Sequence, residues 1–389
     1  MKVAIIGGGA AGCFCAVNLK RMHGDAEITV FERANRPMAK LAITGGGRCN
    51  LTNTFADIRQ LREAYPRGHR LMERLFRIFG PDDTMRWWEQ EGVKLTVQED
   101  NCVFPCSQNA MEIVGTLNRL MHELSIKVLT GQRIETLPQG FDRIIVTTGG
   151  SPRLSGLSFL EPLGLEFVQP VPSLFAFNID VPQLHTLTGT VVEQAQVSLP
   201  GTKFQAAGPL LITHFGMSGP AILRLSSYAA RHLAERNYQT DLSVNWMLGE
   251  NEGQVRAVLG TFQASGKLIG NHHPAHLTSR HWSYLLQRAG IPETHRWDCL
   301  NRKEVNRLVN TLTNDIYTIS GRRTHKAEFV TCGGVALSNL NLQTLALKAH
   351  PNIFMAGEVL DIDGITGGFN LQAAWTMGYV IAKSIATTL

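Results

Sequence analysis

The chain has 389 residues, 44% of them hydrophobic and 18% charged, and a formal net charge of +5. That length supports two or three domains around a sizeable core, and so dilute a positive charge does not mark a nucleic-acid binder. The seven cysteines, Cys13, Cys15, Cys49, Cys102, Cys106, Cys299 and Cys332, form no CxxC framework, and no stretch reaches the ~18 apolar residues of a membrane span. A reducing, cytoplasmic setting without a membrane anchor is therefore expected.

KVAIIGGGAAGCFCAVNL opens the chain. Its apolar run is short and broken by three glycines, so it reads as folded structure and not as a signal segment. A buried strand over 2–6 turns through Gly7, Gly9 and Gly12 into a helix, with Ala10 and Ala11 of the loop among the expected cofactor contacts. In this GxGxxG pattern the first glycine makes the turn, the second lets a pyrophosphate approach the backbone, and the third packs helix on strand. EITVFER then supplies a second strand ending in Glu32, placed to receive a ribose hydroxyl.

TGGGRCNLTN follows at 44–53. Three glycines, the Arg48 fork, a thiol and two asparagines leave three readings: a second phosphate loop, a redox cysteine site, or a wall around a cofactor. Cys49 lacks a CxxC partner and is expected to be a buried structural cysteine. Arg59, Arg62, Arg67, Arg70, Arg74 and Arg77 flank apolar helical positions; they could grip RNA or an anionic substrate, but a solvated helix face is the expected reading. DRIIVTTGGSP, 142–152, is a strand that stops at Thr148, Gly149 and Gly150.

Residues 165–245 read as short strands with turn punctuation, a small antiparallel barrel. Within them THFGMSGPAIL, 213–223, carries a helix start at Ser218 and Pro220, and His214 is a candidate proton donor beside a purely structural reading. Helical runs follow over 250–320. His272, His273, His276 and His281 lack cysteine or close carboxylate partners, so no metal is expected. EFVTCGGVAL, 328–337, reads as a return strand through the barrel. IFMAGEVLDIDGITGGFNLQ, 353–372, places Gly357, Glu358, Asp361 and Asp363 before a glycine-lined helix start at Gly368, Phe369, Asn370 and Leu371. Acids that bind sugar hydroxyls, beside a helix N-terminus facing a ring that turns negative on reduction, suit a flavin.

GGGAAG with Glu32, KLAITGGGRCNLTN, VFPCSQNA, THFGMSGPAIL, FVTCGGV and AGEVLDIDGITGGFNLQAAWTMG together resemble the HI0933-like flavoproteins, a branch of the glutathione-reductase-type FAD-binding superfamily. The resemblance covers most of the chain and departs at Thr44, where these proteins usually carry serine. It implies an α/β fold in which a Rossmann-like FAD-binding domain, 1–164 and 341–389, is interrupted by an antiparallel β-barrel-like domain, 165–249 and 321–340, and a helical subdomain, 250–320. It also implies that Gly46, Gly47, Arg48 and Asn50 line the FAD, with Arg33 and Lys40 among the cofactor contacts.

The activity implied is FAD-dependent reduction of an activated carbon–carbon double bond in a small organic substrate. NADH or NADPH would act as a transient electron donor, because 151–389 holds no second GxGxxG. An amine-type oxidase and a flavoprotein acting on RNA are the alternatives, with nucleic acid the less expected partner.

Overall fold

The computed structural model describes residues 1–323 and 330–387. They fall into two compact units, Met1–Ser173 with Lys326–Leu389, and Leu174–His325.

The first unit is built on a five-stranded parallel sheet in the order Ile353–Met355, Arg143–Val146, Lys2–Ile6, Glu27–Phe31, Lys127–Leu129. Its central strand runs Val3, Ala4, Ile5 and Ile6 without polar alternation, and all four are buried, as a parallel strand covered on both faces requires. The glycine turn leads into the helix Ala10–Met22. Gly9 caps that helix with no side-chain hydrogen bond, and no acidic residue stands in its first turn.

The helix Phe369–Thr387 packs along Ala10–Met22. The contact is close because Gly378 carries no side chain: a Cβ there would lie 2.8 Å from the Ala11 carbonyl oxygen. Aromatic rings fill the space around it, with Phe14 4.5 Å from Trp87 and 5.2 Å from Trp375 between centroids, and Trp88 5.4 Å from Trp375. Each such pair adds roughly 0.5–1.5 kcal/mol beyond its buried area. Two smaller antiparallel sheets complete the unit, Phe167–Ser173 with Val330–Val335, and Thr52–Asn53 with Cys102–Pro105 and Leu95–Val97.

The second unit carries a seven-stranded antiparallel sheet in the order Asp315–Ile319, Thr240–Asn245, Val191–Ser198, Gln205–Thr213, Gly216–Ser218, Ala176–Asn178, Gly321–Arg323. The helices Glu252–Gln263, Ser279–Ala289 and Arg302–Thr313 start at Asn251, Thr278 and Asn301, whose side chains accept first-turn N–H groups. Sheet and helices share one core, from Phe175 and Phe177 through Trp246 to Trp282, Trp297 and Leu308.

Two sequence expectations change here. The sheet has two ends that do not pair with each other, so a closed barrel is not established. Around Ser320 the chain changes partner, Asp315–Ile319 pairing with Thr240–Asn245 and Gly321–Arg323 with Ala176–Asn178. Alternation in the sequence marks strands, but closure depends on which strand each one meets. The strand expected to return through that sheet, Val330–Val335, pairs instead with Phe167–Ser173. Glu328 and Phe329 of the same motif lie outside the described residues.

The helix contact generates a prediction with opposite signs at two glycines. Alanine is worth up to about 1 kcal/mol over glycine in a helix interior. At Gly115 a Cβ meets nothing within 4 Å, so Gly115→Ala should raise the urea midpoint. At Gly378 overpacking costs about 1–3 kcal/mol, so Gly378→Ala should lower it by equilibrium urea denaturation.

Candidate functional site

The three glycines of the first turn divide their work as the pattern requires. Gly7 has φ +109°, and a Cβ on it would fall 2.4 Å from the Thr147 carbonyl oxygen. Gly12 packs still tighter, since its Cβ would lie 2.1 Å from the Gly7 oxygen. At Gly9, by contrast, a Cβ would meet nothing within 4 Å. The middle glycine therefore leaves an open cradle over the start of the helix, beside Ala10 and Ala11. The Thr147 hydroxyl donates to the Gly7 carbonyl at 2.8 Å and ties this loop to the segment that follows the strand Arg143–Val146, with Thr148 and Gly149 next. Gly149 is likewise open on its Cβ side, whereas a Cβ on Gly150 would strike Glu358 and Thr331.

Glu32 is held from both sides: its Oε2 accepts from the Gly8 N–H at 2.9 Å and its Oε1 from the Ala34 N–H at 2.8 Å. Each oxygen keeps a further lone pair. Arg33, next in the chain, is exposed.

The stretch 44–53 and the C-terminal glycine motif meet. Gly45, Gly46 and Gly47 all have positive φ, as does Cys49 at 61°. The Asn50 amide donates to the Thr52 carbonyl at 2.9 Å and accepts from the Gly368 N–H at 3.2 Å. Asn53 Nδ2 donates to the Gly367 carbonyl at 3.2 Å, Thr52 Oγ1 to Gln372 Oε1 at 2.5 Å, and Trp375 Nε1 to the Leu51 carbonyl at 3.0 Å. A Cβ on Gly368 would sit 2.4 Å from the Thr52 oxygen, so only glycine fits.

The asparagines thus spend their amides on the wall itself. Gly46 and Gly47 keep open Cβ sides, and exposed Arg48 lies with its guanidinium 4.7 Å from the Phe104 ring centroid. Cys49 is fully buried, and burial pushes its thiol up to about 12.

Contacts that the sequence did not disclose hold the C-terminal loop. Asp363 is 1% exposed. The Arg67 guanidinium meets it with two nitrogens, Nε at 2.6 Å from Oδ1 and Nη2 on Oδ2, while the Ser173 hydroxyl donates to Oδ2 at 2.9 Å. Burial pushes the Asp363 carboxyl above its ordinary range, against the pull of Arg67 and Ser173. Arg67 is therefore no part of a solvated face, and in the sequence nothing sets it apart from the other arginines of 59–77. Tyr65 donates to the Phe369 carbonyl at 2.8 Å, and the Asn370 side chain closes the loop on the Gly364 N–H and C=O at 2.8 and 2.9 Å.

Glu358 accepts from the Thr331 N–H at 2.7 Å and pairs with Lys40 at 3.0 Å, joining two predicted residues that lie far apart in the chain. Gly357 has φ +81°, and the Asp361 N–H donates to the Val335 carbonyl at 2.9 Å. Leu371 stands half-buried in the first turn of the C-terminal helix.

In the second unit His214 is exposed on the turn between Gln205–Thr213 and Gly216–Ser218, its ring edge-on to Phe215 at 5.0 Å. The histidines of 272–281 disperse into separate contacts. His272 Nδ1 lies 3.2 Å from Ser265 Oγ, His273 Nδ1 3.1 Å from the Pro274 carbonyl, and His276 Nε2 3.0 Å from the Trp246 carbonyl. His281 is buried against Trp246, and burial lowers its pKa to about 4.

A family model described as the HI0933-like protein Rossmann domain matches residues 1–384. The chain is 25% identical over 413 aligned positions to the 3-dehydro-bile acid delta(4,6)-reductase of Clostridium scindens, covering 99% of each chain. It is 28% identical over 407 positions to the ribosomal RNA dihydrouridine synthase of Escherichia coli, covering 98% of this chain and 97% of that one. Among solved structures it is similar in fold to a 3-ketosteroid delta1-dehydrogenase from Sterolibacterium denitrificans, with a TM-score of 0.52, 10% identity, and coverage of 100% and 99%.

Two outcomes test this geometry. Arg67→Ala strands a buried carboxylate and should cost about 3–5 kcal/mol near neutral pH. The folded-state pKa of Asp363 then rises further above its unfolded value, so the loss is full at high pH and shrinks as pH falls through the folded pKa. Urea denaturation at pH ~8 and pH ~5 checks the sign, with the unfolded carboxyl near ~3.9. In the native protein a thiol reagent should modify the exposed Cys106 and Cys299 first, and leave Cys49 unmodified until the protein is unfolded.

Proposed function

The chain belongs to the HI0933-like family, and from that premise we propose that it is an FAD-dependent oxidoreductase that saturates a carbon–carbon double bond conjugated to a carbonyl. The observation that carries the reading is the open Cβ side of Gly9 between the sealed positions Gly7 and Gly12. A loop that needs glycine for turn and packing, and leaves free space only at its middle residue, fits a pyrophosphate on the helix N-terminus. Glu32, fixed by Gly8 and Ala34, keeps lone pairs for the hydroxyls of an adenosine ribose.

Bound FAD supplies hydride chemistry through its ring system. In our reading Gly7, Gly9, Ala10, Ala11 and Gly12 hold its pyrophosphate, with Arg33 and Lys40 nearby. Gly46, Gly47, Arg48 and Asn50 form its wall. Thr148, Gly149 and Gly150 line it, Gly357, Glu358 and Asp361 meet the ribityl chain, and the helix start at Gly368, Phe369, Asn370 and Leu371 faces the ring.

Saturating such a bond adds a hydride at the carbon β to the carbonyl and a proton at the α carbon. His214, exposed and without a hydrogen bond among the described residues, is our candidate proton donor. The names of two relatives support the reaction type. A bile-acid delta(4,6)-reductase reduces ring double bonds, and a dihydrouridine synthase makes uridine saturated at C5–C6, a bond conjugated to the C4 carbonyl. One reaction thus serves two substrate classes, a free small molecule and a base in RNA. With no second GxGxxG in 151–389, NADH or NADPH as electron donor would visit the same site in turn.

The purified protein should be yellow and release FAD on denaturation, and Gly9→Val should abolish flavin retention while leaving the fold measured by circular dichroism intact. Release of FMN alone, or full occupancy in Gly9→Val, overturns the cofactor reading. Anaerobic mixing with NADH or NADPH should bleach the flavin faster than air reoxidises it. Slow bleaching with fast reoxidation would assign an oxidase instead.

A further inference from the structure

Resting on the proposed reading, in which the helix start at 368–371 faces the flavin ring, we infer that Tyr65 is a positioning residue: by donating to the Phe369 carbonyl it strengthens the Asn370 N–H toward that ring and makes the bound flavin easier to reduce. The phenol is fully buried, and its hydroxyl donates to the Phe369 oxygen at 2.8 Å. In a helix that oxygen also takes the N–H four residues on, so the phenol is a second donor to it. The other two buried tyrosines among the described residues, Tyr284 and Tyr317, use their hydroxyls on side chains.

What gives this bond a function is the peptide it falls on. The Phe369 C=O and the Asn370 N–H are the two ends of one planar unit. Polarising the oxygen draws charge from the nitrogen and makes its hydrogen a better donor, by roughly 10–30% per added bond. At this helix start the Gly368 N–H is taken by Asn50. Those of Phe369, Asn370 and Leu371 donate to no group among the described residues. Reduction by two electrons and one proton leaves one negative charge on a flavin ring, and donors at a helix N-terminus stabilise it. The neutral oxidised ring gains less from them, because a hydrogen bond to a charged acceptor is the stronger kind. A better donor therefore favours the reduced form.

Tyr65 is also held where it can act. The segment 64–68 is zipped along 362–369: the Ala64 carbonyl accepts the Ile365 N–H at 2.9 Å, and Arg67 meets Asp363 through both a backbone bridge and a two-nitrogen ion pair. Gly68 seats against Ile362, where a Cβ would fall 2.7 Å from Cγ1. The Phe369 ring stands edge-on to Tyr65 at 6.1 Å and to Phe55 at 5.0 Å between centroids, and the Asn370 side chain clasps Gly364 from both sides. Packing alone would be served by phenylalanine at 65. Burial pushes the phenol's pKa well above its ordinary value and so keeps its proton in place as a donor.

The test is the two-electron midpoint potential of the FAD-loaded protein, measured by anaerobic equilibration with a reference dye, which needs neither the physiological electron donor nor the substrate. Tyr65→Phe keeps the ring and removes the donor. It should shift the equilibrium toward oxidised flavin on the order of threefold, a fall of about 15 mV for a two-electron couple. Tyr65→3-fluorotyrosine carries a more acidic phenol and a stronger donor, so its potential should rise above that of the parent. Trp87→Phe removes a different buried hydrogen bond of the same unit, Nε1 to Asn18 Oδ1 at 3.0 Å, and should leave the potential where it is.

A potential unchanged in Tyr65→Phe, moved the same way by both Tyr65 variants, or moved as far by Trp87→Phe, overturns the inference. Should Tyr65→Phe fail to retain flavin, the 3-fluorotyrosine protein decides alone, a rise supporting the inference and no rise overturning it. A parent protein that holds no FAD counts against the proposed function instead, and is read from the flavin absorbance before any potential is measured.

Discussion

A carboxylate sealed from water has to be answered by charge and by donors, and Asp363 is such a group. The group it forms draws on three distant parts of the chain. Arg67 lies between the arginines of 59–77, Ser173 ends the strand Phe167–Ser173, and Asp363 itself lies in the loop before the last helix. That strand pairs with Val330–Val335, whose Thr331 N–H holds Glu358. One buried charge thus gathers the elements around the proposed flavin site, and removing Arg67 leaves the carboxylate uncompensated.

Glycine does two different jobs in this unit, and the structure separates them. Gly7, Gly12, Gly150, Gly368 and Gly378 stand where a Cβ would collide with backbone or a buried side chain. Gly9, Gly46, Gly47 and Gly149 stand where a Cβ would meet nothing within 4 Å. The first set lets the chain pack on itself; the second faces space that a ligand backbone of phosphates can enter. The two sets alternate in the first motif, Gly7, Gly9 and Gly12, and stand side by side at Gly149 and Gly150.

The parts legible in the sequence are those whose signal is local. The strand, glycine turn, helix and Glu32 lie within one short stretch, and hydrophobic periodicity marked the three helices between 252 and 313. What could not be read is pairing over long separations. Nothing in TGGGRCNLTN announces that Asn50 and Asn53 will bond Gly368 and Gly367, so their amides looked available for a cofactor. Arg67 resembled its five neighbours because a charged residue declares burial only through its partner, here 296 residues away. The antiparallel sheet was legible as strands, but the change of partner at Ser320 depends on tertiary neighbours that alternation does not encode.

The close seat of Phe369–Thr387 on Ala10–Met22 also sets an order of events during synthesis. Chains fold domain by domain as they leave the ribosome. The unit Leu174–His325 contains all of its own strands and core and is complete once its last residue emerges. The helix Ala10–Met22, although made before that unit, keeps Phe14 without Trp375 and Ala11 without Gly378 until Phe369–Thr387 has been made. The sheet waits for Ile353–Met355 in the same way. The helix Ala10–Met22 is therefore finished only after the unit translated behind it, and its apolar surface stays open to chaperones, and to other nascent chains, until Phe369–Thr387 is made.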